Sequence, residues 1–360
     1  MDLQNNNNLK GHYPLYLGGE LGLIDNIHET YPQVAKLRDE LYRNKWDWRE
    51  ISLAKDARDI VDPTLAAGTK AMTRNLAYQF AADSLVCSSV IQVMGNFCSN
   101  PELLGLLQEL ESNEYVHAMQ YSEIAKKAYL EPQELLEEIK STEPLLDRLR
   151  PVADVLEATE KMSHLYALGL ETDETRLRRQ IIKYHAAVLA LEGIGFAGSF
   201  AATFGVAKAY KSYEGIKNSV QLITRDELDI HVNIGMTILK ILKEEWPEEY
   251  AAVLPEIRVM YDTVLKVEDK WLDYMFDGVT VRGLNKELLS KYIYFLAFTV
   301  YSAVFDEHDI EQTPNPLPWM SEYTNLGDIQ VAAQETQLVN YNVNIINDDV
   351  SDDDDLDVTL

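Results

Sequence analysis

At residues 114–121 the chain reads Glu114-Tyr-Val-His117-Ala-Met-Gln-Tyr121, and at 227–231 it reads Glu227-Leu-Asp-Ile-His231. Residues three or four apart share one face of a helix, so each stretch presents a carboxylate and an imidazole side by side. Asp83 lies upstream of the first pair, in Ala81-Ala82-Asp83-Ser84-Leu85. Glu192 lies upstream of the second, in Val188-Leu-Ala-Leu-Glu192-Gly-Ile-Gly-Phe196. Both acids interrupt apolar stretches, and buried acids are rare unless paired or bound to a cation. Four carboxylates and two imidazoles projecting inward from four helices form the ligand set of a dinuclear metal site in a helix bundle. Carboxylates favour hard divalent ions, and imidazole turns the preference toward iron or manganese rather than calcium.

The surrounding sequence agrees with an all-α fold. From about residue 68 to 305, apolar residues recur at three- and four-residue spacing, and Gly and Pro are sparse within segments. The periodicity predicts long helices near 66–96, 102–129, 151–170, 174–208, 216–245, 248–276 and 285–305, with no β-alternation and no fixed-period repeat. Residues 1 to about 60 read as mixed and turn-rich. Pro314-Asn-Pro316-Leu-Pro318-Trp319 cannot continue a helix, because each proline lacks a donor and restricts its predecessor. The expected organisation is one helical domain over 1–322, with an N-terminal extension, and a flexible polar tail over 323–360.

The net charge of −27 argues against non-specific nucleic-acid binding. Part of it lies in the run from Asp348 to Asp357, where blocks of like charge suggest an interaction tail. The apolar run Tyr292–Phe305 is too short to span a bilayer, and no signal-peptide pattern opens the chain. Cys87 and Cys98 form no metal-type motif and read as two buried thiols. A cytoplasmic protein with no membrane or nucleic-acid partner is expected.

Tyr121 follows His117 by one helical turn and shares its face. Phe196 and Phe200 follow Glu192 at successive four-residue steps and would give the site a dry wall. His185, two turns before Glu192, is the best rival ligand. His164 and His308 read as satisfied structural histidines.

Taken together, these segments resemble the small, radical-generating subunit of class I ribonucleotide reductase. Also in the family's order and spacing are Trp46-Asp-Trp-Arg-Glu-Ile-Ser-Leu-Ala-Lys-Asp56, Asn75-Leu-Ala-Tyr-Gln-Phe-Ala-Ala-Asp83, Arg225-Asp226-Glu227, Gly283-Leu-Asn-Lys286 and Asn315-Pro-Leu-Pro-Trp319. The resemblance covers roughly residues 36 to 360. It implies a ferritin-like bundle in which Asp83, Glu114, His117, Glu192, Glu227 and His231 bind two metal ions, iron first, with manganese or a mixed pair as alternatives. It implies that Tyr121 is oxidised with dioxygen, or a reduced form of it, to a tyrosyl radical in a pocket of Phe196, Phe200 and Ile223. The radical equivalent would then pass through Trp46, Asp226 and Tyr341 to a large catalytic subunit that converts ribonucleotides to deoxyribonucleotides. Trp46 is preferred over Trp48 because its distance to Asp56 fits the family spacing. Leu356, Val358 and Leu360 would dock on that large subunit. A homodimer and an activating flavoprotein are further implied partners. A different ferritin-like dinuclear-metal oxidase, or a metal store, would explain the six ligands but not Tyr121, the Asn315–Trp319 segment or Tyr341.

The resemblance has one departure. The family has Glu-x-x-His in its last metal helix, whereas Glu227 and His231 are one residue farther apart. Three helical steps leave two side chains about 60° apart and four leave them about 40° apart, so both spacings keep one face. Keeping both flanking registers calls for a one-residue π-bulge.

Overall fold

A computed structural model describes residues 13–324, apart from Asn26 and His28 and the side chain of Glu134. The described residues up to Thr324 belong to one compact unit. Among the described residues there is no β-strand, and backbone pairing outside helices is limited to two isolated bridges, Tyr16 with Cys98 and Val281 with Leu284.

The two helices that start the bundle are antiparallel neighbours in sequence. Ala66–Cys87 (here α3) leads through a π-helical turn, Val90–Met94, to Pro101–Ala128 (α4). Asn100 starts α4 by accepting a 2.8 Å hydrogen bond from the Leu103 amide, with Pro101 in the first turn where its missing donor does no harm. Preceding them are Pro32–Arg43 (α1) and Asp56–Val61 (α2). The first of these lies in the stretch expected to be mixed. Its signal is Pro32 at the start and Val34, Leu37 and Leu41 at helical spacing, all of which are buried.

Pro132–Ser141 (α5) and Glu143–Ala167 (α6) follow. The expected start at residue 151 is too late: Pro144 occupies the first turn of α6, and Pro151 is carried inside the helix. Glu174–Ala190 (α7) then continues through a π-helical turn, Leu191–Gly195, into Phe196–Tyr210 (α8). This 37-residue stretch is long and apolar enough to cross a membrane, yet 94% of its most apolar window is buried inside the protein. It, rather than the 292–305 run, carries the longest strongly apolar window among the described residues, and that window packs in the core. Glu214–Arg225 (α9) likewise passes through a π segment, Asp226–His231, into Val232–Glu245 (α10). Pro247–Phe276 (α11) and Lys286–Val304 (α12) close the bundle, and the short helix Ser321–Thr324 (α13) ends the described chain.

The N-terminus of α9 is capped from another element. Asp56 of α2 is fully buried, and its two carboxylate oxygens accept from the amides of Gly215 (3.0 Å) and Ile216 (2.9 Å). Asp59 accepts from the Tyr213 amide at 2.8 Å. Gly215 is required there, since a Cβ would lie 2.5 Å from both the Asp56 carboxylate and the Ser52 carbonyl oxygen. The cap fixes where α9 begins, and so where its π segment arrives. Asp56→Ala should lower stability by about 2 kcal/mol, the loss of a buried two-bond cap. Urea denaturation of the metal-free protein would register this, and an unchanged midpoint would contradict it.

Candidate metal centre

The six ligand candidates come from four elements of the bundle. Asp83 projects from α3, Glu114 and His117 from α4, Glu192 from the π turn after α7, and Glu227 and His231 from the π segment after α9. All six are buried. Their ligand atoms gather into two sets, Asp83–Glu114–His117–Glu227 and Glu114–Glu192–Glu227–His231, and within each the atoms lie within 4.8 Å of one another. Glu114 and Glu227 belong to both sets. Two adjoining sets sharing two carboxylates fit a dinuclear metal site. The bulge that the Glu227–His231 spacing calls for is present as the π segment Asp226–His231. A second π turn surrounds Glu192, which no spacing in the sequence signals.

The imidazoles are oriented alike. Nδ1 of His117 lies 2.7 Å from Glu227 and 3.4 Å from Asp83, while its Nε2 lies 3.2 Å from Asp226 Oδ2. Nδ1 of His231 lies 2.7 Å from Glu227 and 3.1 Å from Glu114, while its Nε2 lies 2.7 Å from Asn113 Oδ1. Asn113 in turn donates to Asp226 Oδ2 at 3.1 Å. A metal-binding histidine commonly gives its outer ring nitrogen to a carboxylate or amide oxygen in this way, which fixes the ring and the inward lone pair. Asn113 escaped the sequence reading, although its position next to Glu114 was the available signal.

The inward atoms test the fit. Both oxygens of Asp83, Glu114, Glu192 and Glu227 and Nδ1 of both histidines have no hydrogen bond of proper geometry among the described residues. So many orphaned buried polar atoms converging on one region are what cations would satisfy. The charge balance without cations is telling. Burial, and then the negative Glu227 nearby, push Asp83, Glu114 and Glu192 upward, toward their protonated forms. For Glu227 burial acts the same way, but His231 and His117 outweigh it and hold this carboxylate well below the usual range. Burial would lower His231, yet Glu227 and Glu114 push it up to about 10. His117 is likewise raised, chiefly by Glu227, against its burial. Without cations, three of the acids and both imidazoles are thus pushed toward their protonated forms.

Around the cluster, Asp226 is a junction. Its Oδ2 accepts from Trp46 Nε1 at 2.8 Å, and its Oδ1 accepts from Arg225 at 2.7 and 2.9 Å. Burial would raise its pKa, but His117, Arg225 and Trp46 outweigh that and keep it ionised. The Trp46 ring also stacks on His117 with centroids 5.9 Å apart. Trp48 instead packs edge-on against Tyr115. Tyr121 is buried, with Phe80 stacked on it at 6.2 Å. Burial, then Asp83 and Glu227, hold its hydroxyl well above the ordinary phenol range. Phe196 and Phe200 stack on each other at 5.4 Å and, like Ile223, are fully buried. Phe80 was not among the expected pocket residues.

His185 is not in either ligand set. Its Nε2 lies 2.6 Å from the Tyr16 hydroxyl, and burial lowers its pKa to about 3, so the ring is neutral. His308 pairs with Ser302 as a structural histidine, whereas His164 is exposed. Cys98 is buried as expected, but Cys87 is only half-buried and lines an open groove with Ser84, Ser88 and Tyr115. Tyr341, Leu356, Val358 and Leu360 lie outside the described residues.

Comparison with known proteins agrees with this geometry. The family model "Ribonucleotide reductase, small chain" matches residues 26–303. The ribonucleoside-diphosphate reductase subunit beta of Buchnera aphidicola (subsp. Schizaphis graminum) is 28% identical, over 96% of this chain and 95% of its own. Among solved structures, the ribonucleotide reductase R2 subunit from Clostridium botulinum superposes with a TM-score of 0.72 at 22% identity, over 86% of this chain and 94% of that one. An R2-like ligand-binding oxidase with a Mn/Fe cofactor superposes at 0.62 and 13% identity, over 78% and 96%. These two structural likenesses are of fold.

Two measurements follow from the cluster's charge balance. Since the imidazoles must lose protons to ligate, Mn(II) titration of the metal-free protein should release protons, and the apparent affinity should rise with pH between about 6 and 9. A pH-stat that consumes no base as ions bind would contradict this. In the same titration Glu192→Ala should bind well below two ions per chain, and full occupancy would remove Glu192 from the site.

Proposed function

Because the chain belongs to the ribonucleotide reductase small-chain family, we propose that it generates and stores a tyrosyl radical and passes it to a large catalytic subunit for the reduction of ribonucleoside diphosphates to deoxyribonucleotides. The observation that carries the reading is the continuous connection Trp46–Asp226–His117, which links the buried ligand cluster to the half-buried indole of Trp46. An oxidase or a store needs ligands and a cavity but has no use for such a connection.

In this reading the set Asp83, Glu114, His117 and Glu227 would hold one ion and the set Glu114, Glu192, Glu227 and His231 the other. The donor set accepts iron or manganese, with iron the first reading, and metal availability decides. Such a centre, when bound, supplies with dioxygen or a reduced form of it the oxidising equivalent that takes an electron and a proton from Tyr121. The protein's contribution is to keep Tyr121 dry and neutral. Phe80 covers its ring, Phe196, Phe200 and Ile223 supply apolar bulk in the same core, and burial disfavours the phenolate. Asp226 stays ionised between Arg225, His117 and Trp46, so it can hold the indole N–H proton when Trp46 gives up an electron.

Members of this family act with a large subunit. For this chain we assign that contact to the acidic tail, with Leu356, Val358 and Leu360 as apolar anchors and Tyr341 as the relay residue. An activating flavoprotein and work in the cytoplasm belong to the same reading, and the free thiols Cys87 and Cys98 are in keeping with a reducing compartment. A two-fold homodimer is the expected assembly.

Four measurements test this. Tyr121→Phe should retain metal and abolish the tyrosyl EPR signal, whereas Trp46→Phe should retain both metal and signal and lose nucleotide reduction by a factor of about 100 or more, equivalent to about 3 kcal/mol. Persistent turnover in Trp46→Phe would break the proposed path. Removing residues 348–360 should leave the radical intact and weaken association, and a peptide of those residues should compete. Full turnover of the truncated chain at limiting large subunit would refute tail docking. Light scattering should give twice the 41.0 kDa chain mass, and a monomer at working concentrations would exclude a stable dimer.

A further inference from the structure

A buried ion pair lies behind Glu192, outside the ligand cluster. Arg148 of α6 and Glu268 of α11 are 3% and 1% exposed. Their contact is bidentate: Arg148 Nε donates to Glu268 Oε1 at 2.6 Å and Nη2 to Oε2 at 2.7 Å. Nη2 also donates, at 2.8 Å, to the carbonyl oxygen of Gly195. Gly195 closes the π turn Leu191–Gly195 on which Glu192 sits. The guanidinium carbon itself lies 3.4 Å over the Tyr78 ring centroid and 4.8 Å from that of Trp271.

The pair is arranged around the turn. A Cβ at Gly195 would lie 2.7 Å from the Tyr78 hydroxyl and 3.9 Å from Glu268 Oε1, so the glycine lets this assembly approach the backbone. Glu192 lacks both the outer partner that each histidine has and the regular helix that carries Asp83 and Glu114. His117 and His231 are oriented through Asp226 and Asn113, but no hydrogen bond among the described residues orients the Glu192 carboxylate. Its direction is therefore set by its backbone, and a π turn is a local departure from the regular helical ladder. A buried ion pair contributes little net stability compared with apolar residues of the same size, so stability alone does not account for the arrangement.

We infer that Arg148, locked by Glu268, is a positioning residue: it grips the Gly195 carbonyl and so holds the π turn in the shape that aims Glu192 at the second ion. The inference rests on the reading of Glu192 as a metal ligand, and the experiment separates the two. Full-length protein is titrated anaerobically with Mn(II), and free Mn(II) is followed by EPR. The unaltered chain should bind two ions, and fewer than two would count against the dinuclear reading itself, not against the strut. Arg148→Met with Glu268→Met replaces the pair with apolar side chains of similar length. This double variant should melt no lower than the unaltered metal-free protein. It should keep the affinity of the first ion within about twofold and weaken the second by tenfold or more. Glu268→Gln keeps the volume but removes the anion that locks the guanidinium, and should weaken the second ion by threefold or more. It decides the matter if the double variant does not fold. Unchanged binding of the second ion, or equal weakening of both, would overturn the inference, since a purely structural pair would act on the two ions alike.

Discussion

Six ionisable side chains are buried against one another near the middle of the bundle, and most of the surrounding structure can be understood as compensation for that. A buried carboxylate without a counter-charge is costly, and four of them together would be driven to protonate. The protein answers in layers. The two imidazoles sit between carboxylates, and Glu227 contacts both. Asp226 and Asn113 hold the outer edges of the imidazoles. Arg225 then balances Asp226. The long apolar helix from Glu174 to Tyr210 supplies the dry packing that makes these interactions strong.

The same layering explains why two of the four ligand-bearing elements are not regular helices. A regular helix gives each side chain a fixed direction every hundred degrees. A π turn widens the ring locally and re-aims what it carries. Glu192 and the Glu227–His231 pair both sit on such turns, whereas Asp83, Glu114 and His117 project from unbroken helices. The irregular turns are tied to neighbouring elements. One is tied through Trp46 to Asp226 and through Arg225 to the Asn44 carbonyl, and the other through Arg148 to Gly195. The indole that meets the π segment at Asp226 also stacks on His117, so one side chain touches both the irregular turn and the ligand cluster.

Much of this was legible beforehand because helical spacing maps directly onto faces. Two Glu/His pairs three and four residues apart, and two acids inside apolar helices, announce a site whatever the details of packing. The extra residue between Glu227 and His231 even announced its bulge. The π turn at Glu192 had no such signature, because a single ligand leaves no spacing to violate. Helix α1 offers few apolar positions for periodicity to act on, and at the start of α6 Pro151 resembles a first-turn proline as closely as Pro144 does.

The sequence by itself determined an all-α fold, a set of candidate metal ligands, the tyrosine one turn beyond His117 and the family to which the chain belongs, since each depends on residue type and on periodicity along a single helix. Only the tertiary structure decided which carboxylates belong to both ligand sets, which ring nitrogen of each histidine faces inward, and that Phe80 stacks on Tyr121, Asn113 meets His231 and Arg148 meets Glu268 beside the Glu192 turn. The physical reason is that those contacts join residues far apart in the chain. Arg148 and Glu268, for instance, are 120 positions apart. Whether two such side chains meet depends on how helices pack against one another, which local spacing does not encode.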